Sequence, residues 1–193
     1  MGRVWWRSPW LPFGAAVVPV VLTLWAGSVP GGYWGMGLTA LACWAVVGLA
    51  WLVLLVLAIR ALPVPRRPNL ARLWAFLAVP LLLIATALTA RSGVTEHAAF
   101  ALHRSSLEAL ATETRASVEG RASDRAFLLL TVSHSVRDTG TGCVLMTVRD
   151  AGFLNSTGYA HCPDRAPANV RAGGDGYTFE HLDGPWYVFV FQW

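Results

Sequence analysis

Two cysteines and three histidines carry most of the chemistry this chain could offer. Cys143 to Arg149 and Gly158 to Cys162 each read as a strand, and a hairpin centred near Gly152 and Phe153 would set Cys143 opposite Cys162. Facing positions on antiparallel strands are close enough for an S–S bond. In an oxidising compartment the pair is expected to form a structural disulfide, whose loop constraint is worth about 3 kcal/mol. A redox-active pair would need a Cys-X-X-Cys spacing or an activating helix N-terminus, and neither is evident. Cys43 falls inside an apolar run and reads as a small buried residue.

His134, His161 and His181 fall on separate predicted strands, with Asp138, Asp164, Glu180 and Asp183 nearby. Histidine with carboxylates can bind zinc or transfer protons, and three histidines on neighbouring strands could converge. Nothing in the spacing demands it. The chain has no His-X-X-X-His, no Gly-X-Ser-X-Gly and no phosphate-cradling glycine loop ahead of a helix. A membrane-anchored metal-dependent or hydrolytic enzyme using these histidines is therefore the second reading. The first is a non-catalytic binding, sensing or assembly domain, with no metal and no cofactor.

The residues best suited to a partner are aromatic. Trp186, Tyr187, Phe189, Phe191 and Trp193 leave both faces of one strand apolar. Such a strand must be covered by its own core, by a membrane surface or by another protein. Burial in the core is the plainer reading, and contact with a partner or a membrane is the other.

These side chains need a scaffold. A helix from about Thr95 to Val118 is expected, with Thr95 as N-cap and Glu96 in the first turn. Its apolar face is Phe100, Leu107, Leu110, Ala111, Thr114 and Val118. Ser92-Gly93 should break it from what precedes, and Gly120 should end it. Strands follow at Phe127 to Val136, Cys143 to Arg149, Gly158 to Cys162, Tyr177 to Leu182 and Trp186 to Trp193, with Asp183-Gly184 turning between the last two. In the first of these, Leu128, Leu130, Val132, His134 and Val136 share a face. Pro163 to Gly176, rich in proline and glycine, reads as a long loop. One helix on an antiparallel sheet of about four or five strands, a small α+β domain over residues 91–193, is the economical reading.

Residues 1–90 have another character. All eleven carboxylates lie after residue 91, whereas the first 90 residues hold six arginines, no acid and three apolar runs, at about 10–27, 36–59 and 73–90. Runs of this length suit membrane-spanning helices, the second clearly and the others near the lower limit. Arg3 and Arg7 ahead of the first run would also suit a signal peptide, but Trp5, Trp6 and Trp10 resemble an interfacial belt and favour a retained helix. No ionisable side chain falls within the runs, so an ion or proton path built by this chain alone is not expected. Pro19 and Pro80 should loosen their helices, and Thr23, Thr39, Thr86 and Thr89 should serve helix packing.

Arginine counts orient the anchor. The N-terminal tail holds Arg3 and Arg7, the loop between the second and third runs holds Arg60, Arg66, Arg67 and Arg72 among Pro63, Pro65 and Pro68, and the loop at Ser28 to Gly35 holds none. Cationic short loops stay in the cytoplasm, so residues 91–193 should lie outside. That part has nine arginines against eleven acids, a balance of −2, which argues against nucleic-acid binding. All fifteen basic residues are arginine, a bias expected of a GC-rich bacterial genome. The expectation is thus a three-span protein of a bacterial plasma membrane, N-terminus cytoplasmic, with an extracytoplasmic domain whose partners are the lipid bilayer and another membrane or envelope protein.

Overall fold

A computed structural model describes residues 10–60, 70–172 and 175–192. The expectations placed on Arg3, Trp5, Trp6 and Arg7, on Pro63, Pro65, Arg66, Arg67 and Pro68, on Gly173 and Gly174, and on Trp193 lie outside those residues. Four helices precede one antiparallel sheet of seven strands.

The apolar runs are helices α1 (Trp10–Ala26), α2 (Trp34–Arg60) and α3 (Leu70–Arg91). With no acid and few cations over such lengths, and only Pro19 and Pro80 as interior breakers, helix is the state in which these backbones satisfy themselves. Among the described residues, α2 is the one helix able by length and composition to cross a membrane, or one of two if the bent pair Leu77–Arg91 and Val94–Ala116 is counted as a single span. Of the three spans expected, α2 alone meets the length and composition of one among the described residues. Ala16, Val47 and Val79 meet in a small apolar cluster, and the indole N–H of Trp44 donates to Thr23 Oγ1 at 3.0 Å. Gly27 lies beside Ala90. These contacts run α1 antiparallel to α2 and parallel to α3. The hydroxyls of Thr23, Thr39, Thr86 and Thr89 each donate to the carbonyl four residues back, and Thr23, which also accepts from Trp44, joins α1 to α2 as well.

Helix α4 (Val94–Ala116) leaves α3 through Gly93, whose φ of 71° suits glycine, and the two axes bend by 55° there. The break falls where Ser92-Gly93 predicts it, but the cap does not. Gly93 is the N-cap, without a side-chain bond, and Thr95 instead donates its hydroxyl to the Gly27 carbonyl at 2.7 Å. The glycine turn starts the helix early and frees that hydroxyl to hold the end of α1. Phe100, Leu107, Leu110, Ala111 and Thr114 are buried as their spacing predicts, joined by His103, whereas Val118 lies beyond the helix and is fully exposed.

The strands are β1 (Arg121–Ala126), β2 (Thr131–Arg137), β3 (Val144–Val148), β4 (Ser156–His161), β5 (Val170–Ala172), β6 (Asp175–Asp183) and β7 (Trp186–Gln192), in the spatial order β1-β2-β3-β4-β7-β6-β5. Three differ from the sequence reading. The strand expected at Phe127 to Val136 is shorter: Phe127 to Leu130 form a turn, the Phe127 N–H donating to the Leu130 carbonyl at 2.7 Å, and only Thr131 onward is strand, paired with β1, which the sequence reading did not foresee. The β2–β3 register slips between Val132 and His134. This bulge reverses the alternation, so Val132 and Ser135 point into the core while His134 is exposed. Finally, Val170–Ala172 pairs with β6 inside the stretch expected to be loop.

The near face of the sheet carries the larger core: Val132, Val144, Met146, Val148, Tyr159 and Trp186 pack under Phe100, Leu107, Leu110 and Ala111 of α4. Two buried hydroxyls there pair with each other, Thr114 with Ser135 at 2.7 Å. The lower end of this face is covered by the α1–α2 loop. Val29 is part of the core, the Thr157 hydroxyl donates to the Pro30 carbonyl at 2.7 Å, the Gly152 N–H to the Gly32 carbonyl at 2.9 Å, and the Tyr33 hydroxyl to the Leu129 carbonyl at 3.0 Å. Residues far apart in the sequence therefore build one core, and the sheet is seated on the helices.

Cys143 and Cys162 are joined by a disulfide, with Cα atoms 4.4 Å apart. The register explains it: Val144 faces His161, which sets the next pair outward, Cys143 and Cys162, opposite each other. The bridge closes a separation of 19 residues. Replacing both cysteines by serine is expected to cost about 3 kcal/mol of domain stability. Urea-dependent proteolysis of the detergent-solubilised chain measures this, and a shift under about 1 kcal/mol would show that the strands hold the hairpin without it.

Candidate binding surfaces

The three histidines of the second reading do not converge. His161, at the end of β4, lies on the near face with its ring 4.5 Å from that of Trp186. His134 bonds Thr147 on the far face, Nε2 to Oγ1 at 3.3 Å, and His181 sits edge-on to Tyr187 there, with ring centres 5.2 Å apart. Strands β3, β4 and β7 separate β2 from β6, so His134 and His181 are at least four inter-strand spacings apart, on the order of 19 Å. Among the described residues no group of three His, Cys, Asp or Glu side chains is placed to hold a metal ion. The sheet order, invisible in spacing, is what parts them. The nearby acids have other partners: Asp138 accepts from the backbone and hydroxyl of Thr141, and Asp183 pairs with Arg104.

Burial pushes the His161 pKa below the ordinary value, and the Arg115 guanidinium, which donates to the His161 carbonyl at 3.1 Å, acts in the same direction. Its Nδ1 and the neighbouring Trp186 Nε1 are buried without a hydrogen-bond partner. This is a packed position under α4.

The aromatic strand divides between the faces. Trp186 is fully buried, its ring 5.5 Å from Phe100 at an edge-on angle, and Phe189 is nearly so. Neither offers surface to a partner, so for these two burial, the plainer reading, is what the structure has and the alternative of contact does not apply; alternation along a central strand sends Trp186 under α4 and lays Phe189 over the bare backbone of Gly158. Tyr187 and Phe191 are half-buried on the far face, where Tyr177 and Phe179 join them. Tyr177 is the centre of this group, with ring centres 5.9 Å from Phe179, 6.0 Å from Phe189 and 4.7 Å from Phe191. The sequence singled out the strand but could not split its faces. The contributions of Tyr177 and Phe179 follow from the β6–β7 register, Tyr177 to Phe191 and Phe179 to Phe189.

A second concave surface was not legible in the sequence. A cleft of about 630 Å³ opens where the helices meet the sheet, lined by Trp25, Trp34, Met36, Leu129, Arg149 and Phe153 among others. The rings of Trp34 and Phe153 stack at 4.5 Å, and Arg149 forms an ion pair with Asp124. The loop from Gly27 to Tyr33 positions it by tying the helix ends to the β3–β4 turn.

No protein-family model matches this chain, and searches of curated proteins and of solved structures likewise find no match. Function has to be argued from these surfaces.

Proposed function

We propose that this chain is a multi-pass membrane protein whose three helices seat an extracytoplasmic, disulfide-bonded sheet domain, and that the domain acts by binding or assembly. The observation that carries the reading is the surface of α2: over 27 residues it is apolar all round, yet almost none of its most apolar stretch is buried. A helix of that kind is at home in lipid. Because the α1–α2 loop is built into the sheet core and α4 enters the same domain, α2 must lead away from the domain and α3 must return. Helix α1, parallel to α3, then crosses with it. Arginine at the tail and between α2 and α3, against none in the α1–α2 loop, supports an extracytoplasmic sheet, and the disulfide suits an oxidising compartment.

The far face of the sheet is the surface proposed for binding. Tyr177, Phe179 and Tyr187 are only partly buried there, and aromatic side chains of this kind supply much of the energy of protein interfaces. The membrane or envelope protein expected as a partner would meet this face. Catalysis has less support, because the histidines stand apart. In-cell photo-crosslinking tests the proposal, with a photoreactive residue replacing Tyr187 or Phe179 and, as a control, Val118. A discrete adduct from the first two positions and none from the third is expected; equal labelling at all three would remove the far face as a binding surface. Reporter fusions after Arg60 and after Gln192 check the orientation, and an extracytoplasmic signal after Arg60 would overturn it.

A further inference from the structure

Two turns of the sheet at the helix end, β1–β2 and β3–β4, carry large apolar side chains that the β2–β3 and β6–β7 turns at the other end lack, although β5 and β6 also meet at the helix end, at Ala172 and Asp175. At the end away from the helices the turns are Asp138-Thr139-Gly140-Thr141-Gly142 between β2 and β3, and Asp183-Gly184-Pro185 between β6 and β7, as expected of turns in water. At the helix end, the β1–β2 turn is Phe127-Leu128-Leu129-Leu130, and the β3–β4 turn carries Phe153-Leu154 at its tip after the exposed Arg149 and Asp150, the first of which is paired with Asp124. The pairing of Val132 with Val148 puts these two turns at the same end of the sheet. Leu128 is 84% exposed, Phe153 63% and Leu154 71%, in a domain whose other apolar side chains are mostly packed. Both turns touch the α1–α2 loop, Leu129 through Tyr33 and Phe153 through Trp34.

That loop also fixes their level. Trp34 begins the apolar surface of α2, and Gly27 lies beside Ala90, one residue before Arg91, where the apolar surface of α3 ends. Phe153, stacked on Trp34, is therefore at the edge of the apolar belt. Leu128, Phe153 and Leu154 continue the belt outward from α2, with Trp25 and Trp34 beside them, the residue type that collects at membrane interfaces. We infer that the β1–β2 and β3–β4 turns are inserted into the outer leaflet, Leu128, Phe153 and Leu154 reaching the boundary between headgroups and acyl chains. The occupant of this surface is phospholipid. Apolar side chains at such a depth, about 5–10 Å into the interface, anchor a domain without crossing the bilayer. The sheet then stands upright on the membrane, its polar turns outermost and its far face turned sideways, accessible to a neighbour in the same leaflet.

The inference rests on the proposed membrane crossing of α2, and the test separates the two. In the full-length chain carrying Cys43→Ala, with the Cys143–Cys162 bond intact, single cysteines replace Leu128, Leu154, Leu49 or Val118 and receive an environment-sensitive fluorophore. Leu128 and Leu154 are chosen because their exposure leaves the core intact on replacement. The proteins are reconstituted into phosphatidylcholine–phosphatidylglycerol vesicles. Emission from positions 128 and 154 should shift to shorter wavelength, be lost to lipids bearing a shallow nitroxide and resist aqueous iodide. Position 118 should behave in the opposite way and position 49 should respond to a deep nitroxide. Iodide access at 128 and 154, with 49 still quenched from within the bilayer, overturns the insertion and leaves the crossing intact. Loss of quenching at 49 overturns both.

Discussion

Gly158→Ala should prevent the sheet domain from reaching its native packing, at a cost of about 3 kcal/mol or more. Gly158 is on β4, between Thr147 of β3 and Phe189 of β7. A Cβ there would lie 1.9 Å from the Met146 carbonyl oxygen and 3.0 Å from the Phe189 ring. The first of these neighbours is backbone in the middle of a sheet and has nowhere to move without breaking the ladder on one side. The glycine admits the close approach of β3, and the Phe189 ring fills the room a side chain would have taken, a way of stabilising a strand glycine from the neighbouring strand. Urea-dependent proteolysis in detergent, with Gly48→Ala as the comparison, is the measurement. Nothing lies within 4 Å of an added Cβ at Gly48, so that variant should match the parent. Equal midpoints for the two would show that the strands adjust freely and that the tight fit at Gly158 carries no energy.

Trp186→Ala is expected to cost about 3–5 kcal/mol, the range for removing a fully buried large aromatic side chain. The indole fills the space between α4 and β4, against Phe100 on one side and His161 on the other. Trp186→Phe should cost far less, because it keeps most of the volume and removes an N–H that is buried without an acceptor. The pair of variants separates core from contact surface: a docking tryptophan would leave the unfolding midpoint unchanged in both. A stable Trp186→Ala protein would return this side chain to the surface the sequence first suggested for it.

The parts of the fold that repeat with a period were readable beforehand. The apolar runs at 36–59 and 73–90, the buried face of α4 and the alternation in β3, β4, β6 and β7 each reflect one element buried on one side or all round, and the facing of Cys143 and Cys162 follows from counting outward from the turn. The rest depends on contacts between distant residues. Phe127-Leu128-Leu129-Leu130 has no turn residue, and it turns where Tyr33 and His103 can reach its backbone. A one-residue bulge exchanges the roles of His134 and Ser135 in a way no alternation reveals. The short β5 strand lies among prolines and glycines that mask it. The candidate surfaces suffered most, since whether an aromatic residue of β7 is core or surface depends on which face α4 covers, and whether histidines meet depends on strand order.

Strand β7 lies between β4 and β6, and β5 and β6 join the rest of the sheet only through it. The central ladder therefore cannot close as the chain emerges. Until β7 arrives, β4 has an unpaired edge, β6 has no neighbour toward the middle, and Val29 and Tyr33, made more than a hundred residues earlier, are waiting for the core they complete. Pairings between such distant segments form slowly, and unpaired edges are the parts of an immature chain most prone to wrong partners. Closure of the sheet thus waits on β7, the one strand that has to insert between two strands made before it.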